Sequence, residues 1–399
     1  MKKMNIWFVC IGEPVPTDKD LRNLHRCGQF ALEFSKSGNK VNWITSNFDH
    51  FSKEKLEVES EMKISENFTI SFLDTKPYKK NISLSRFHSH YLIGNEFKKK
   101  IKNFSSNHPD IIYASFPTIE LAYECTKYAV KNRIPIVVDV RDLWPDIFLS
   151  AVPNFLHFIA KIALFSWYRK KSYIFKNATS IIAISNGCLE FANQNIDRKD
   201  NKNDKIVYKS YFPNQSVQKS KSDKFKAIYV GAISKNKTSL KSVIEVFNDL
   251  DSRYELIICG DGDDINYYKS IANDNIIFKG WVSKSDINNI ISDCSLGLVP
   301  LKNRFDFNRA IVNKAIEYIS YGIPVITSLK GDLKDFVEAN NVGLFYANKK
   351  ELRKSILKLD QDRDFLELLS RNASKTFSNY FDFTKNFSKL QNHFASLIK

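Results

Sequence analysis

Short unbroken apolar runs alternate with longer stretches of helical spacing along the whole chain. Residues 4–11 (MNIWFVCI) form the first run and end at Gly12, which predicts a buried parallel strand entering a loop. Residues 21–37 carry apolar positions at helical spacing and stop at Gly38; residues 41–45 are the next run. The strand signal returns at 68–73 (FTISFL), 110–115 (DIIYAS), 136–138 and 180–184, and at 206–211 in shorter form. Helices are predicted over 93–103 and 119–131, and a strongly apolar one with a basic end over 154–171 (NFLHFIAKIALFSWYRKK). Strand, loop, helix, strand is the rhythm of a doubly wound α/β sheet, whose ligands lie beyond the carboxyl ends of the strands.

Residues 213–224 (PNQSVQKSKSDK) interrupt that rhythm with a Ser- and Lys-rich linker. It then restarts: KAIYVGAIS (226–234), LKSVIEVFNDL, YELIICGDGDD, NIIFKGWVSKSDINNII and LGLVPL read as strand, helix, strand, strand-turn-helix and strand. The expectation is an α/β chain of two Rossmann-like doubly wound parallel-sheet domains facing a cleft. The first spans 1–212 and the second 225–380, with a C-terminal helix over 381–399 crossing back to the first.

A chain of 399 residues with 43% hydrophobic positions is long enough for two cores. No stretch reaches the roughly 20 apolar residues of a membrane span, and the start shows no cleavage site of a signal peptide, so a cytoplasmic location is expected. The six cysteines are scattered without C-x-x-C spacing and read as reduced core residues. A net charge of +16 and a pI of about 9.3 favour anionic partners. A nucleic-acid partner is not expected, because charge alone suggests it and no recognition motif does.

The richest chemistry lies in 309–327 (RAIVNKAIEYISYGIPVIT). Asn313 is the expected N-cap of a helix that stops at Gly322, with Pro324 preventing its continuation. Free N–H groups near Val312, Asn313 and Lys314 would seat an anion such as a diphosphate, Lys314 adds a mobile charge, and Glu317 would accept from two ribose hydroxyls. Read alone, the stretch fits an ordinary amphipathic helix with a solvated Glu317 better. Other strand ends converge with it: Gly231 with Lys235 and Lys237, then Gly260, Asp261 and Gly262, then Gly280 to Val282.

In the first half, residues 135–146 (PIVVDVRDLWPD) place Asp139, Arg141 and Asp142 at the end of a buried strand. Charges there are costly unless paired or used, so they are either catalytic or an ion pair anchoring the loop. Residues 78–90 bring Lys79, Lys80, Arg86, His88 and His90, a phosphate-contacting run or a solvated surface. The 154–171 helix either packs inside the protein or dips into an anionic membrane.

Lys314, Glu317, Gly322, Pro324 and Val325 resemble the donor-binding element of retaining nucleotide-sugar glycosyltransferases of the GT-B fold, family 4 type. RCGQFALEFSKSGNKVNWITSNFDH and VVDVRDLWPD extend the resemblance, to the bacterial envelope-polysaccharide group. It implies a metal-independent, hexosyltransferase-type enzyme without a cofactor. The nucleotide-diphosphate sugar, a UDP-sugar, sits in the second domain, held by Gly231, Lys235, Lys237, Gly260, Asp261, Gly262, Val282, Arg309, Val312, Asn313 and Glu317. The acceptor, a glycan or lipid-linked oligosaccharide of O-antigen or capsule synthesis, meets Gly12, Glu13, His50, Arg86, His90 and Ser115 in the first. Asp142, Arg141 and Lys314 are the catalytic candidates, and the inner face of the plasma membrane is a candidate peripheral partner. The family's usual second glutamate, eight residues before Glu317, is Arg309 here. A nucleotide-sugar 2-epimerase of the same fold and a non-catalytic partner subunit are the alternatives.

Overall fold

A computed structural model describes residues 3–16, 24–80, 83–104, 108–194, 196, 198, 201–213 and 224–398. The chain divides into two compact units, residues 1–207 with 387–399, and residues 208–386.

The first unit is built on β1 (Asn5–Val9), α1 (Arg26–Lys36), β2 (Lys40–Ser46), β3 (Glu61–Ser65), β4 (Phe68–Leu73), α2 (Leu84–Lys100), β5 (Ile111–Phe116) and α3 (Ile119–Asn132). It continues through β6 (Ile136–Val140), α4 (His157–Ala163), α5 (Phe165–Asn177), β7 (Ser180–Ala183), α6 (Asn186–Asn193) and β8 (Lys205–Ile206). The sheet order is β3-β4-β2-β1-β5-β6-β7-β8, parallel throughout except for β3 against β4. Strands β5 and β6 are buried at every position, as continuous apolar runs covered on both faces must be. The order reverses between β1 and β5, so the loops after those strands frame the place where such sheets hold ligands.

The second unit runs β9 (Phe225–Val230), α7 (Leu240–Asn248), β10 (Tyr254–Cys259), α8 (Ile265–Ser270), β11 (Ile276–Gly280), α9 (Lys284–Ser292), β12 (Leu296–Val299), α10 (Asn313–Ser320), β13 (Val325–Thr327), α11 (Asp332–Ala339) and β14 (Gly343–Phe345). Helices α12 (Lys349–Gln361) and α13 (Arg363–Thr376) complete it. Its all-parallel sheet has the order β11-β10-β9-β12-β13-β14, the dinucleotide-type pattern with its switch point between β9 and β12. The last helix, α14 (Phe383–Leu397), adds Phe394 and Phe387 to the first unit, each 5.0 Å from Phe34, and His393 Nε2 lies 2.9 Å from Ser180 Oγ.

Four expectations change. The 154–171 stretch is two helices broken at Leu164, whose N–H bonds Ala160 while α5 begins at the next residue. Helix α2 starts at Leu84, with Ser83 accepting from Arg86 N–H, so the basic run at 78–90 is half helix. The edge strand β3 goes unsignalled although Met62 and Ile64 alternate with exposed Glu61, Lys63 and Ser65, because five residues make too short a pattern to stand out. The strand expected over 206–211 shrinks to β8. The linker over 213–224 falls almost entirely outside the described residues, as do 21–23 of the first predicted helix.

Candidate functional site at the carboxyl edge of the second sheet

Helix α10 is fixed against the sheet by Tyr318. Its ring is fully buried and lies where any Cβ on Gly297 would clash, while its hydroxyl accepts the N–H of Val230 at 2.8 Å. That contact ties the second turn of α10 to the end of β9. The N-cap is Val312, not the expected Asn313, which is the first helical residue, and no side chain caps the helix. Ala315 and Ile316 donate their N–H groups to the Val312 carbonyl, which leaves the N–H groups of Asn313 and Lys314 facing outward, as an anion site requires.

The strand ends around α10 enclose a cavity of about 550 Å³ lined by Val230, Gly231, Ala232, Cys259, Gly260, Asp261, Trp281, Val282, Ile287 and Glu317. Gly231 and Gly260 have φ of +141° and +142°, in the region that favours glycine. A Cβ on Gly260 would come within 2.0 Å of the Gly231 carbonyl oxygen, so these two loops meet backbone to backbone. Lys314 Nζ would lie 2.9 Å from a Cβ on Gly231 and stands 4.2 Å from the Tyr229 ring centroid. Burial pushes its pKa down to about 8, with Glu317 pulling the other way. An ammonium held near its titration point beside a glycine floor is suited to receiving a diphosphate.

The cavity thus gathers Gly231, Gly260, Asp261, Val282 and Glu317, with Lys314 alongside. The other expected donor residues stand differently. Lys235 packs 3.4 Å from the Tyr267 ring and 3.6 Å from Asp264, and Lys237 is exposed on the same loop. Gly262 is tucked under the Ile233 carbonyl. Arg309 lies over Phe305 at 4.2 Å and donates to the Phe305 carbonyl. Trp281, 81% exposed, is a wall of the cavity that sequence reasoning did not single out. Its signal was a lone tryptophan directly after a strand-ending glycine.

In the first unit the charged strand ends are tied to one another. Asp139 is fully buried and takes two bonds from Arg26 at 3.0 Å and one from Tyr113 at 2.5 Å, so it does not emerge from the strand as expected. Burial would lower the Arg26 pKa, but Asp139 and Tyr113 together outweigh it and raise it. Arg141 donates to Glu13 and to Cys10 Sγ and lies 3.7 Å from Asp139. Glu13 Oε2 in turn accepts the N–H groups of Cys27 and Gly28, closing the front of α1. This is the loop anchor. Cys10, Glu13 and Cys27 have ligand atoms within 4.8 Å of one another, but the Arg141 guanidinium already neutralises that corner. All six cysteines are free and buried.

The remaining acceptor candidates separate into two groups. His50 and Gly12 adjoin, and His50, Arg86 and His90 gather around Tyr78 and Trp144. Ser115 is buried within β5. Asp142 accepts its neighbour's N–H at 2.9 Å and lies close enough to Arg86 to raise that group's pKa against burial.

On α4 and its flanks, Phe155, Phe158, Ile159, Ile162 and Phe165 are 60–81% exposed. Trp167 is buried, donating to Glu120 at 3.1 Å, and Leu164 packs partly buried against the same core. Among the described residues no helix is long and apolar enough to cross a membrane.

Residues 224–362 match the family model described as "Glycosyl transferases group 1". A curated relative, an alpha-monoglucosyldiacylglycerol synthase of Acholeplasma laidlawii, is 26% identical over 189 residues, 44% of this chain and 46% of its own length. The chain thus spans about half the length of that relative. Among solved structures, sucrose-phosphate synthase from Thermosynechococcus elongatus superposes with a TM-score of 0.71 at 12% identity, covering 99% of both chains. Anabaena HepE, in complex with UDP, gives 0.67 at 14% identity over 98% of this chain and 100% of its own. The lipopolysaccharide outer core galactosyltransferase WaaB gives 0.66 at 16%, covering 98% and 99%. Two parallel-sheet α/β units in this arrangement of strands are the GT-B fold.

Proposed function

We propose, from the premise that residues 224–362 are a group 1 glycosyltransferase domain in a GT-B chain, that this transferase uses a UDP-sugar as donor. The observation carrying this is the cavity at the β9/β12 switch point, with the uncapped α10 start, Lys314 and Glu317 around it. Anabaena HepE, crystallised with UDP and with UDP-glucose, supports the choice of nucleotide.

The difficulty in sugar transfer is charge building on the departing diphosphate. Lys314 and the first-turn amides of α10 would offset it, with a contribution of the kind that preorganised donors make in a low-dielectric site. This basic set supplies the positive charge that a divalent metal supplies elsewhere, which is the ground for a metal-independent, hexosyltransferase-type reaction. The acceptor hydroxyl forms a bond to the anomeric carbon on the face the diphosphate leaves, and its proton passes to the leaving phosphate oxygen or to Asp142. The sugar's configuration is retained. Glu317 holds the ribose, and Trp281 offers the base a flat wall.

The acceptor belongs to the first unit and is a glycan, lipid-linked, of cell-envelope polysaccharide synthesis. The exposed apolar row from Phe155 to Phe165, with Lys161 and Arg169 exposed on the same segment, supports a peripheral position on an anionic membrane surface. Sedimentation with phosphatidylglycerol vesicles should be lost in a Phe158→Ser, Ile162→Ser double variant. Equal sedimentation of both proteins would remove the membrane from the account.

The deciding experiment is thermal stabilisation by a panel of nucleotide diphosphates and nucleotide sugars. A ligand that binds only the folded state raises the melting temperature. A UDP-selective shift is expected in the wild type, lost in Lys314→Ala and Glu317→Ala and kept in Asp142→Asn, which should bind donor but turn over poorly. No shift with any nucleotide sinks the transferase reading. Donor turnover that needs no acceptor points instead to 2-epimerisation.

A further inference from the structure

One cluster in the first unit has a chemistry that the loop anchor and the donor site leave unused. Tyr78, from the segment after β4, is buried, with Lys53 and Arg86 at 5.2 Å and 5.6 Å from its ring centroid. Arg86 also stacks on Trp144 at 4.7 Å. His50 Nδ1 lies 2.7 Å from the Tyr78 hydroxyl and 3.5 Å from Lys53 Nζ. His90 is 3% exposed and stacks on Trp144 at 5.4 Å, and its buried Nδ1 has no hydrogen-bond partner. Two cations and two imidazoles therefore converge from two separate segments, residues 50–53 and α2.

We propose that Lys53, Arg86, His50 and His90 form a binding site for a phosphate-ester anion carried by the acceptor. This rests on the reading of the first unit as the acceptor side.

The electrostatics support it. Burial lowers the Lys53 pKa and the nearby Arg86 lowers it further, so the two cations strain against each other. Burial first, then Lys53 and Arg86, brings His50 down to about 4; burial, then Arg86 and His50, brings His90 down to about 3. The acidic groups acting on the cluster are Asp49, which raises His50 and Lys53, and Asp142, which raises Arg86. Asp49 is itself held by the N–H groups of Phe51 and Ser52. A dianion bonded to Arg86 and Lys53 would relieve their repulsion and let the imidazoles take up protons as further donors. The orphaned Nδ1 of His90 is the kind of buried polar atom that marks a site waiting for a partner.

The test is histidine-selective NMR on the full chain, titrated with glucose 1-phosphate against glucose as the uncharged control. Dihexanoyl phosphatidic acid forms a second arm. The His50 and His90 signals should shift saturably with phosphate ester, with Kd of about 1 mM, and their titration midpoints should rise toward 6.5. Arg86→Gln and Lys53→Ala should each weaken binding about tenfold. His90→Phe keeps the ring on Trp144 and should lose only part of the affinity. A preference for glucose 1-phosphate assigns the anion to a sugar phosphate, and a preference for the lipid assigns it to a headgroup. Unchanged nucleotide-induced stabilisation verifies that each variant is folded.

Histidines unmoved at saturating phosphate ester, or shifts that persist in Arg86→Gln, overturn the site. Variants that lose glucose 1-phosphate yet keep the acceptor KM leave the anion site standing and overturn its assignment to the acceptor.

Discussion

The two sheets end in different ways at their carboxyl edges. After β1 and β6 of the first unit the strand ends carry Glu13, Asp139 and Arg141, and these groups bond to one another, to Arg26 and to the front of α1. After β9 and β10 of the second unit the strand ends are glycines at positive φ, and the charge, Lys314, comes from a helix opposite. A carboxylate buried at a strand end is costly, so it persists either as chemistry or as a fully paired structural clasp. A glycine there costs little and leaves space, even with its own N–H engaged, as those of Gly231 and Gly260 are by the Cys259 and Gly280 carbonyls. The dense charge of the first sheet holds the loops in position; the bare backbone of the second leaves a cavity.

The largest effect that separates these roles is on stability. Asp139→Ala would leave the Arg26 guanidinium buried without its carboxylate, and breaking a buried pair this way costs about 3–5 kcal/mol. A guanidinium chloride unfolding curve followed by Trp43 and Trp7 of the first unit should show its midpoint drop sharply. Lys314→Ala should leave the midpoint in place or raise it, because it removes an ammonium that burial already disfavours. If Asp139→Ala unfolds normally but abolishes turnover, the clasp reading is wrong and Asp139 belongs to the chemistry.

Much of this architecture was legible in the residues, and the exceptions have physical causes. Apolar runs such as DIIYAS and YELIIC announced buried parallel strands because a strand covered on both faces has no polar side to hide. Gly322 signalled the end of α10, and it does sit at φ +66°. The partner of Asp139 was not legible: Arg26 is 113 residues away, and spacing carries no information about such a pair. Nor was the engagement of Lys235 with Tyr267 and Asp264, since a lysine on a loop looks the same whether it faces substrate or a neighbouring ring. The break at Leu164 was hidden because the apolar pattern runs through it, and that continuity reflects an exposed row, not a buried one. Trp281 was passed over for a related reason: one aromatic has no periodicity, and only the fold places it beside Gly231 and Gly260.

A smaller effect sharpens the comparison from the side of the second sheet, through pH. Lys314 titrates near 8 in the folded chain against 10.5 when unfolded, because burial disfavours its charged form. Between those values the unfolded chain holds a proton that the folded chain lacks, so this group makes stability rise with pH across the window. Donor binding must run the other way, since a diphosphate prefers the protonated ammonium. UDP affinity measured by calorimetry should be flat below pH about 8 and then weaken by about tenfold per unit, with proton uptake on binding in that range. Lys314→Arg, charged throughout, should erase the break while keeping part of the affinity. The clasp of the first unit predicts no such break, because Cys10, Glu13 and Asp139 together outweigh burial and leave Arg141 raised well above its ordinary value and charged across the whole range. An affinity profile that bends at pH about 8 in the wild type and not in Lys314→Arg assigns the leaving-group charge to this lysine; a bend that survives the substitution assigns it elsewhere.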